Sequence, residues 1–230
     1  MAIIRCVAFD FDGTLVRSND IKRQSFYDAV VDIRQAGAEL DKLFSSEFSG
    51  NRYDLLYELS KRLYPEKSIE EHQLEGARLA AIYGELCMRR IRTCEEVPGA
   101  VTVLEILKWR GIPAYIVSAT PEIDLKPTVR YRDYEPHFKS VFGGPMGKIE
   151  HLNNIVALQG IMPSELLMVG DGSDDLAAAK ATHCQFIGIA NSGNPTLKGA
   201  ECMIDDLRAL PNLIFDGASS AAAINEGAGQ

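Results

Sequence analysis

The sequence lacks several things that would have fixed its class at once. No apolar run is long enough to span a bilayer, and residues 1–5 pass into an apolar segment without the basic, apolar and small-residue zones of a signal peptide. A cytoplasmic protein with no membrane contact is expected. No two of the five cysteines, Cys6, Cys87, Cys94, Cys184 and Cys202, are close enough in the chain to suggest a zinc site, and their odd number fits reduced thiols. The four histidines, His72, His137, His151 and His183, show no ligand spacing either and read as structural or surface residues. Basic charge is in deficit: 32 acidic residues outweigh 24 basic ones for a net charge of −8, which argues against a broad nucleic-acid footprint. Any attraction for an anionic substrate must be local.

What is present is an alternation of apolar segments and helical patterns over 230 residues, enough for a sizeable core. Strands are expected at Ile3–Phe11, Ala114–Val117, Leu166–Val169 and Gln185–Ile189, with a shorter one at Ser140–Phe142. Between them, Ala100 to Trp109 stops at Gly111, and Lys148 to Gln159 stops at Gly160. The pattern predicts an α/β fold, a parallel sheet with helices on both faces.

One connection is far too long for that scheme. Between Val16 and Glu95 no strand is evident, only helical stretches. A first helix is expected from Ser18-Asn19-Asp20 to the breaker Gly37, and further ones over Arg52 to Leu63 and Ile69 to about Ile91. The predicted organisation is a catalytic core from 1–16 and 96–215, an inserted helical cap from 17–95 placed to act as a lid, and a mobile Ala/Gly/Ser-rich tail from 216–230.

Polar residues gather where the predicted strands end. Asp10 and Asp12 follow the first strand on one side of it, and Gly13 eases the turn that comes next. Two carboxylates so placed suit divided roles, one attacking and one moving protons. Ser118-Ala119-Thr120 follows the second strand, Lys148 opens a helix, and Gly170-Asp171-Gly172-Ser173-Asp174-Asp175 follows the fourth main segment. Each group has a bland explanation as a turn, a cap or a solvated charge. Their joint occurrence in this order is much harder to explain that way.

Asp10-Phe11-Asp12-Gly13-Thr14-Leu15, Ser118, Lys148 and Gly170-Asp171 with Asp175 resemble the four motifs of the haloacid dehalogenase-like hydrolase superfamily, and the match spans the whole core. The resemblance implies a Rossmann-like core, a Mg²⁺ ion and, from the position of the insert, a helical cap between the first two motifs. It implies that Asp10 is the nucleophile forming an aspartyl-phosphate, that Asp12 is the general acid and base, and that Ser118 and Lys148 hold the phosphate with backbone N–H groups near Ala119 and Gly13. The metal would lie among Asp10, Asp171, Asp175 and the backbone carbonyl of Asp12. Asp175 would serve either beside the metal or paired with Lys148, with Asp174 as its competitor. Thr14 is expected to be a positioning residue that hydrogen-bonds in the loop or to bind substrate, or simply to shape the turn.

Arg52 and Lys22 are the cap cations suited to an anionic substrate group, though both also fit solvated helix faces. The implied activity is hydrolysis of a small phosphorylated metabolite, a phosphate monoester such as a sugar phosphate, by a monomer or small homo-oligomer. A sugar phosphomutase using the same two aspartates is the alternative, and a non-catalytic binding module the distant one.

Overall fold

The computed structural model describes residues 3–46, 48, 50–190 and 197–215, so the expected mobile tail at 216–230 lies outside the described residues. These fall into two compact units, one drawn from Met1–Arg17 and Cys94–Gln230, the other from Ser18–Thr93.

The first unit is a parallel sheet. Strands β1 (Cys6–Phe9), β2 (Ala114–Pro121), β3 (Ser140–Gly144), β4 (Leu166–Gly170), β5 (Gln185–Ile189) and β6 (Met203–Ile204) are ordered β3-β2-β1-β4-β5-β6. Every neighbouring pair is parallel. β1 and β4 are buried along their whole length, which is why they read as unbroken apolar runs rather than alternating ones. Cys6, Ala8, Tyr115, Val117, Leu166 and Met168 share one apolar cluster with Leu152 and Ile155 of α7 (Lys148–Gln159) and with Ala178 and Ala179 of α8 (Ser173–Thr182). Val7, Phe9, Ile116, Leu167 and Val169, of opposite parity and fully buried, belong to the other face, where α5 (Ala100–Trp109) packs on β2. Helices therefore cover both faces, as the alternation predicted. α6 (Glu122–Tyr131), which follows β2 directly, was not expected from the sequence.

From β1 the strand order grows outward through β2 to β3, then returns to place β4 on the other side of β1. Loops after β1 and β4 diverge at such a reversal and leave a crevice at the carboxyl ends. Asp10 and Asp171 are the residues directly after those two strands.

The second unit holds α1 (Asn19–Ala29), α2 (Ala36–Phe44), α3 (Arg52–Leu63) and α4 (Ile69–Ile91). Its helix starts are well specified. Asn51 accepts from the backbone N–H groups of Tyr53 and Asp54, and Ser68 and Glu71 form a reciprocal capping box. Phe26 stacks on Tyr83 at 4.0 Å between ring centroids and meets Phe44 edge-on, tying α1 and α2 to α4. The first helix differs from expectation. It ends at Ala29 rather than running to Gly37, and Gly37 lies inside α2. The reversal is made by Gln35, whose φ of 67° places it in the left-handed region.

Among the described residues no helix is long and apolar enough to cross a membrane. The five cysteines are free thiols, and burial pushes that of Cys6 up to about 12. His72 is buried against Ser60 Oγ at 3.0 Å, and His151 places Nε2 3.2 Å from the Gly143 carbonyl oxygen.

Candidate active site

Backbone pairing fixes the first carboxylate. The Asp10 N–H donates to the Val169 carbonyl at 2.8 Å, so the nucleophile candidate is locked to the end of the neighbouring strand. Gly13 then turns the chain with φ of 79°, a conformation that penalises any Cβ. Val16 bridges Asp12 on one side and Glu96 on the other, and the Arg17 N–H donates to the Glu95 carbonyl, so the two segments flanking the insertion pair with each other beside Asp12.

Lys148, the first residue of α7, is the hub. Its Nζ stands 3.1 Å from Asp10 Oδ1, 2.5 Å from Asp175 Oδ1 and 2.8 Å from Asp174 Oδ2. Asp175 is held a second time: its Oδ2 accepts the Gly172 N–H at 3.0 Å as the cap of α8, and a Cβ at Gly170 would collide with its carboxylate. The carboxylate of this residue thus caps α8 with one oxygen and pairs with Lys148 through the other. Asp174 also reaches Lys148, but its side chain is 61% exposed against 1% for Asp175. Asp175 is the buried partner of the pair.

Asp10, Asp171 and Asp175 bring one carboxylate oxygen each to within 4.8 Å of one another, all three buried. Such crowding has a predictable effect on protonation. Burial pushes the Asp10 carboxyl well above its ordinary range, Lys148 opposes it, and the charges of Asp175, Asp12 and Asp171 add to the rise. Asp175 is likewise raised, to about 6, by burial that Lys148 offsets only in part. For Lys148, burial favours the neutral amine, yet Asp10, Asp175 and Asp174 outweigh it and hold the ammonium well above its usual range. Carboxylates in excess over a single cation, with hard oxygen donors only, suit a divalent cation such as Mg²⁺. Asp10, Asp171 and Asp175 are the side chains that would hold it.

The remaining expected residues are placed as follows. Asp12 is buried, but its side chain stands outside the trio, and its Oδ2 accepts from Thr120 Oγ1 at 2.7 Å. Ser118 is buried at the end of the regular part of β2 and accepts the Thr120 N–H at 3.2 Å, which leaves its own hydroxyl proton to donate. Ala119, beside it, is exposed and lies where β2 loses register with β3.

Two groups of the loop after β1 have partners within the protein. The Gly13 N–H donates to the Val16 carbonyl at 2.8 Å, so the turn itself uses the group expected to face phosphate. Thr14 is fully buried and donates to Asp171 Oδ1 at 3.3 Å, a bond of the kind a positioning residue makes.

Arg52 and Lys22 belong to the helical unit. Arg52 opens α3, donates to Tyr53 Oη at 3.2 Å and lies over the Tyr53 and Tyr83 rings; Lys22 lies in α1, half-buried. Thr120 is the site residue that sequence reasoning passed over. Its signal was the same two-residue spacing, from Ser118, that had linked Asp10 to Asp12.

A family model for haloacid dehalogenase-like hydrolases matches residues 4–183. Phosphoglycolate phosphatase 1 of Pseudomonas aeruginosa is 27% identical over 215 residues, covering 90% of this chain and 78% of that one. Among solved structures, a predicted phosphoglycolate phosphatase from Haemophilus somnus superposes with a TM-score of 0.73 at 20% identity, over 93% of this chain and 99% of the other. CbbY from Rhodobacter sphaeroides, solved in complex with phosphate, gives 0.66 at 17% identity, over 90% and 96%.

Proposed function

Because the chain belongs to the haloacid dehalogenase-like hydrolases, we propose that it is a Mg²⁺-dependent phosphatase that hydrolyses a small phosphate monoester through an aspartyl-phosphate on Asp10. The observation that carries this reading is the buried Lys148 ammonium, which contacts both Asp10 and Asp175, with Asp171 completing a carboxylate trio.

An Asp10 carboxylate oxygen attacks phosphorus, forming the acyl phosphate O–P bond as the ester P–O bond breaks. Asp12 gives its proton to the departing oxygen. A water then attacks the same phosphorus, Asp12 takes the proton from it, and inorganic phosphate leaves with Asp10 regenerated. Lys148 and the Ser118 hydroxyl hold phosphate oxygens in both displacements. When bound, Mg²⁺ supplies the charge neutralisation that lets a carboxylate approach a phosphate dianion. Arg52 and Lys22, cations of the helical unit, are assigned to substrate choice.

The test is a panel of phosphate monoesters with Mg²⁺, in which released phosphate and altered sugar phosphates are both measured. Phosphoglycolate heads the panel because relatives carry it in their names, followed by hexose phosphates. Phosphate release that Asp10→Asn lowers roughly 10⁴-fold or more supports the proposal. An isomerised sugar phosphate without release would favour a mutase. Full turnover by Asp10→Asn would remove Asp10 as nucleophile.

A further inference from the structure

We propose that His151 is a positioning residue that holds Lys148 in a fixed relation to Ser118, so that the two groups reach one phosphate together. The inference rests on the assignment of both residues to the phosphate. They come from different elements, Ser118 from β2 and Lys148 from the first turn of α7. If both are to meet the same small anion, the two elements must be linked rigidly.

The start of α7 is thinly capped. Its N-cap, Gly147, has no side chain to accept from the first turn, and the Glu150 carboxylate takes the Gly147 N–H at 3.3 Å. Leu152 and Ile155 press α7 onto the sheet, but apolar packing is not directional and does not define where the first turn sits. His151, one turn after Lys148, supplies the direction. Its Nε2 lies 3.2 Å from the Gly143 carbonyl oxygen, and since a carbonyl only accepts, Nε2 carries the hydrogen. The ring stacks on Phe142 at 4.9 Å between centroids and 19° between planes, and Phe142 stacks in turn on Tyr115 of β2.

Gly143 is itself fixed against β2. A Cβ on it would lie 2.6 Å from the Thr120 carbonyl oxygen and 2.8 Å from the Glu122 nitrogen, and one on Gly144 would lie 3.2 Å from the Ala119 carbonyl oxygen. The end of β3 therefore rests on the stretch that follows Ser118, where the two strands lose register. From Lys148 the link runs through His151 and Gly143 to the backbone that carries Ser118. His151 is buried, and its Nδ1 has no partner among the described residues. A phenylalanine would stack on Phe142 without leaving a buried nitrogen unpaired, so packing does not account for an imidazole here; the bond from Nε2 does.

Inorganic phosphate is the probe. Its binding to Mg²⁺-saturated protein, and that of Mg²⁺ alone, would be measured by titration calorimetry for wild type, His151→Phe, His151→Leu, His151→Gln, Lys148→Met and Lys148→Met/His151→Phe, each with a thermal melt. His151→Phe and His151→Leu should weaken phosphate about tenfold. Neither should weaken Mg²⁺, because Asp10, Asp171 and Asp175 lie outside α7 and β3. Glutamine can offer an N–H where Nε2 stands, so His151→Gln should stay within about threefold of wild type. Lys148→Met should weaken phosphate at least as much as His151→Phe, and adding His151→Phe to it should cost less than about twofold more. Unchanged phosphate affinity in His151→Phe and His151→Leu, no recovery in His151→Gln, weakened Mg²⁺, or a full second loss in the double variant overturns the inference and leaves Lys148 in its role. If Lys148→Met binds phosphate as well as wild type, or wild type with Mg²⁺ binds none, the phosphate-holding assignment falls and takes this inference with it.

Discussion

One ammonium, Lys148, faces Asp10, Asp174 and Asp175, with Asp171 beside them, and this imbalance gives the metal-free protein a characteristic response to pH. Asp175 has its pKa raised from 3.8 to about 6, and Asp10 is raised as well. An acid whose folded pKa exceeds its unfolded value binds more protons folded than unfolded. Its contribution to stability is full below the unfolded pKa and is lost as pH rises through the folded one. For Asp175 that window runs from about 4 to about 6. Asp174, Asp28, Glu58, Glu71, Glu75, Glu122 and Asp206 are shifted downward and pull the other way, but apart from Asp174 they are held by ion pairs or caps at the protein surface, where water screens such shifts to small weight. In chelator-treated protein, Asp175→Asn should therefore flatten the fall in melting temperature between about pH 4 and 6. An unchanged slope would mean that Asp175 ionises normally. At this scale the sequence was informative where a motif is contiguous, as in Asp10-Phe11-Asp12, because it directly follows the buried strand β1. Thr120 and Asp12 meet across two strands, and no local spacing encodes that meeting.

At the level of elements, the catalytic strands were legible because burial on both faces demands continuous apolar residues, and the helices because their ends carry capping residues or glycine. The helical insertion was harder. Val30 and Ile33 continue an apolar period past the end of α1 at Ala29, and Gly37 resembles a stop signal, whereas the left-handed turn is made by Gln35. A residue without glycine's freedom in that region leaves no compositional mark, so α2 does not stand out as a separate helix in the sequence. The difference can be measured. Were Gly37 the breaker, a side chain there would destabilise the unit. Gly37 is instead the second residue of α2, and a Cβ added to it would find no atom nearer than Tyr27 Cδ1 at 4.0 Å. Gly37→Ala should therefore stabilise by a few tenths to about 1 kcal/mol. Urea unfolding read by circular dichroism would register the change in midpoint. A lower midpoint would contradict the placement of Gly37 in the helix.

For the molecule as a whole, a net charge of −8 repels the phosphate dianion that the proposed reaction requires, and the site adds buried carboxylates to that repulsion. Lys148 cannot reverse this locally, since Asp10, Asp174 and Asp175 already neutralise it several times over. Binding should therefore be ordered: the cation lowers the negative potential, and only then does an anion gain by entering. Mg²⁺ alone should raise the melting temperature, because it binds carboxylates assembled in the folded state and scattered in the unfolded one. At a hundredfold excess over its dissociation constant the stabilisation is about 2.7 kcal/mol, on the order of 5–10 °C for a protein of this size. Inorganic phosphate alone should produce no shift, and phosphate added with Mg²⁺ should exceed Mg²⁺ alone. Asp171→Asn should abolish both responses while leaving the fold intact, because Asp171 belongs to the carboxylate trio whereas the ion pairs that anchor Lys148 are made with Asp10, Asp174 and Asp175. A shift with phosphate in the presence of chelator would place the anion's attraction in the protein's own cations and reverse the order proposed.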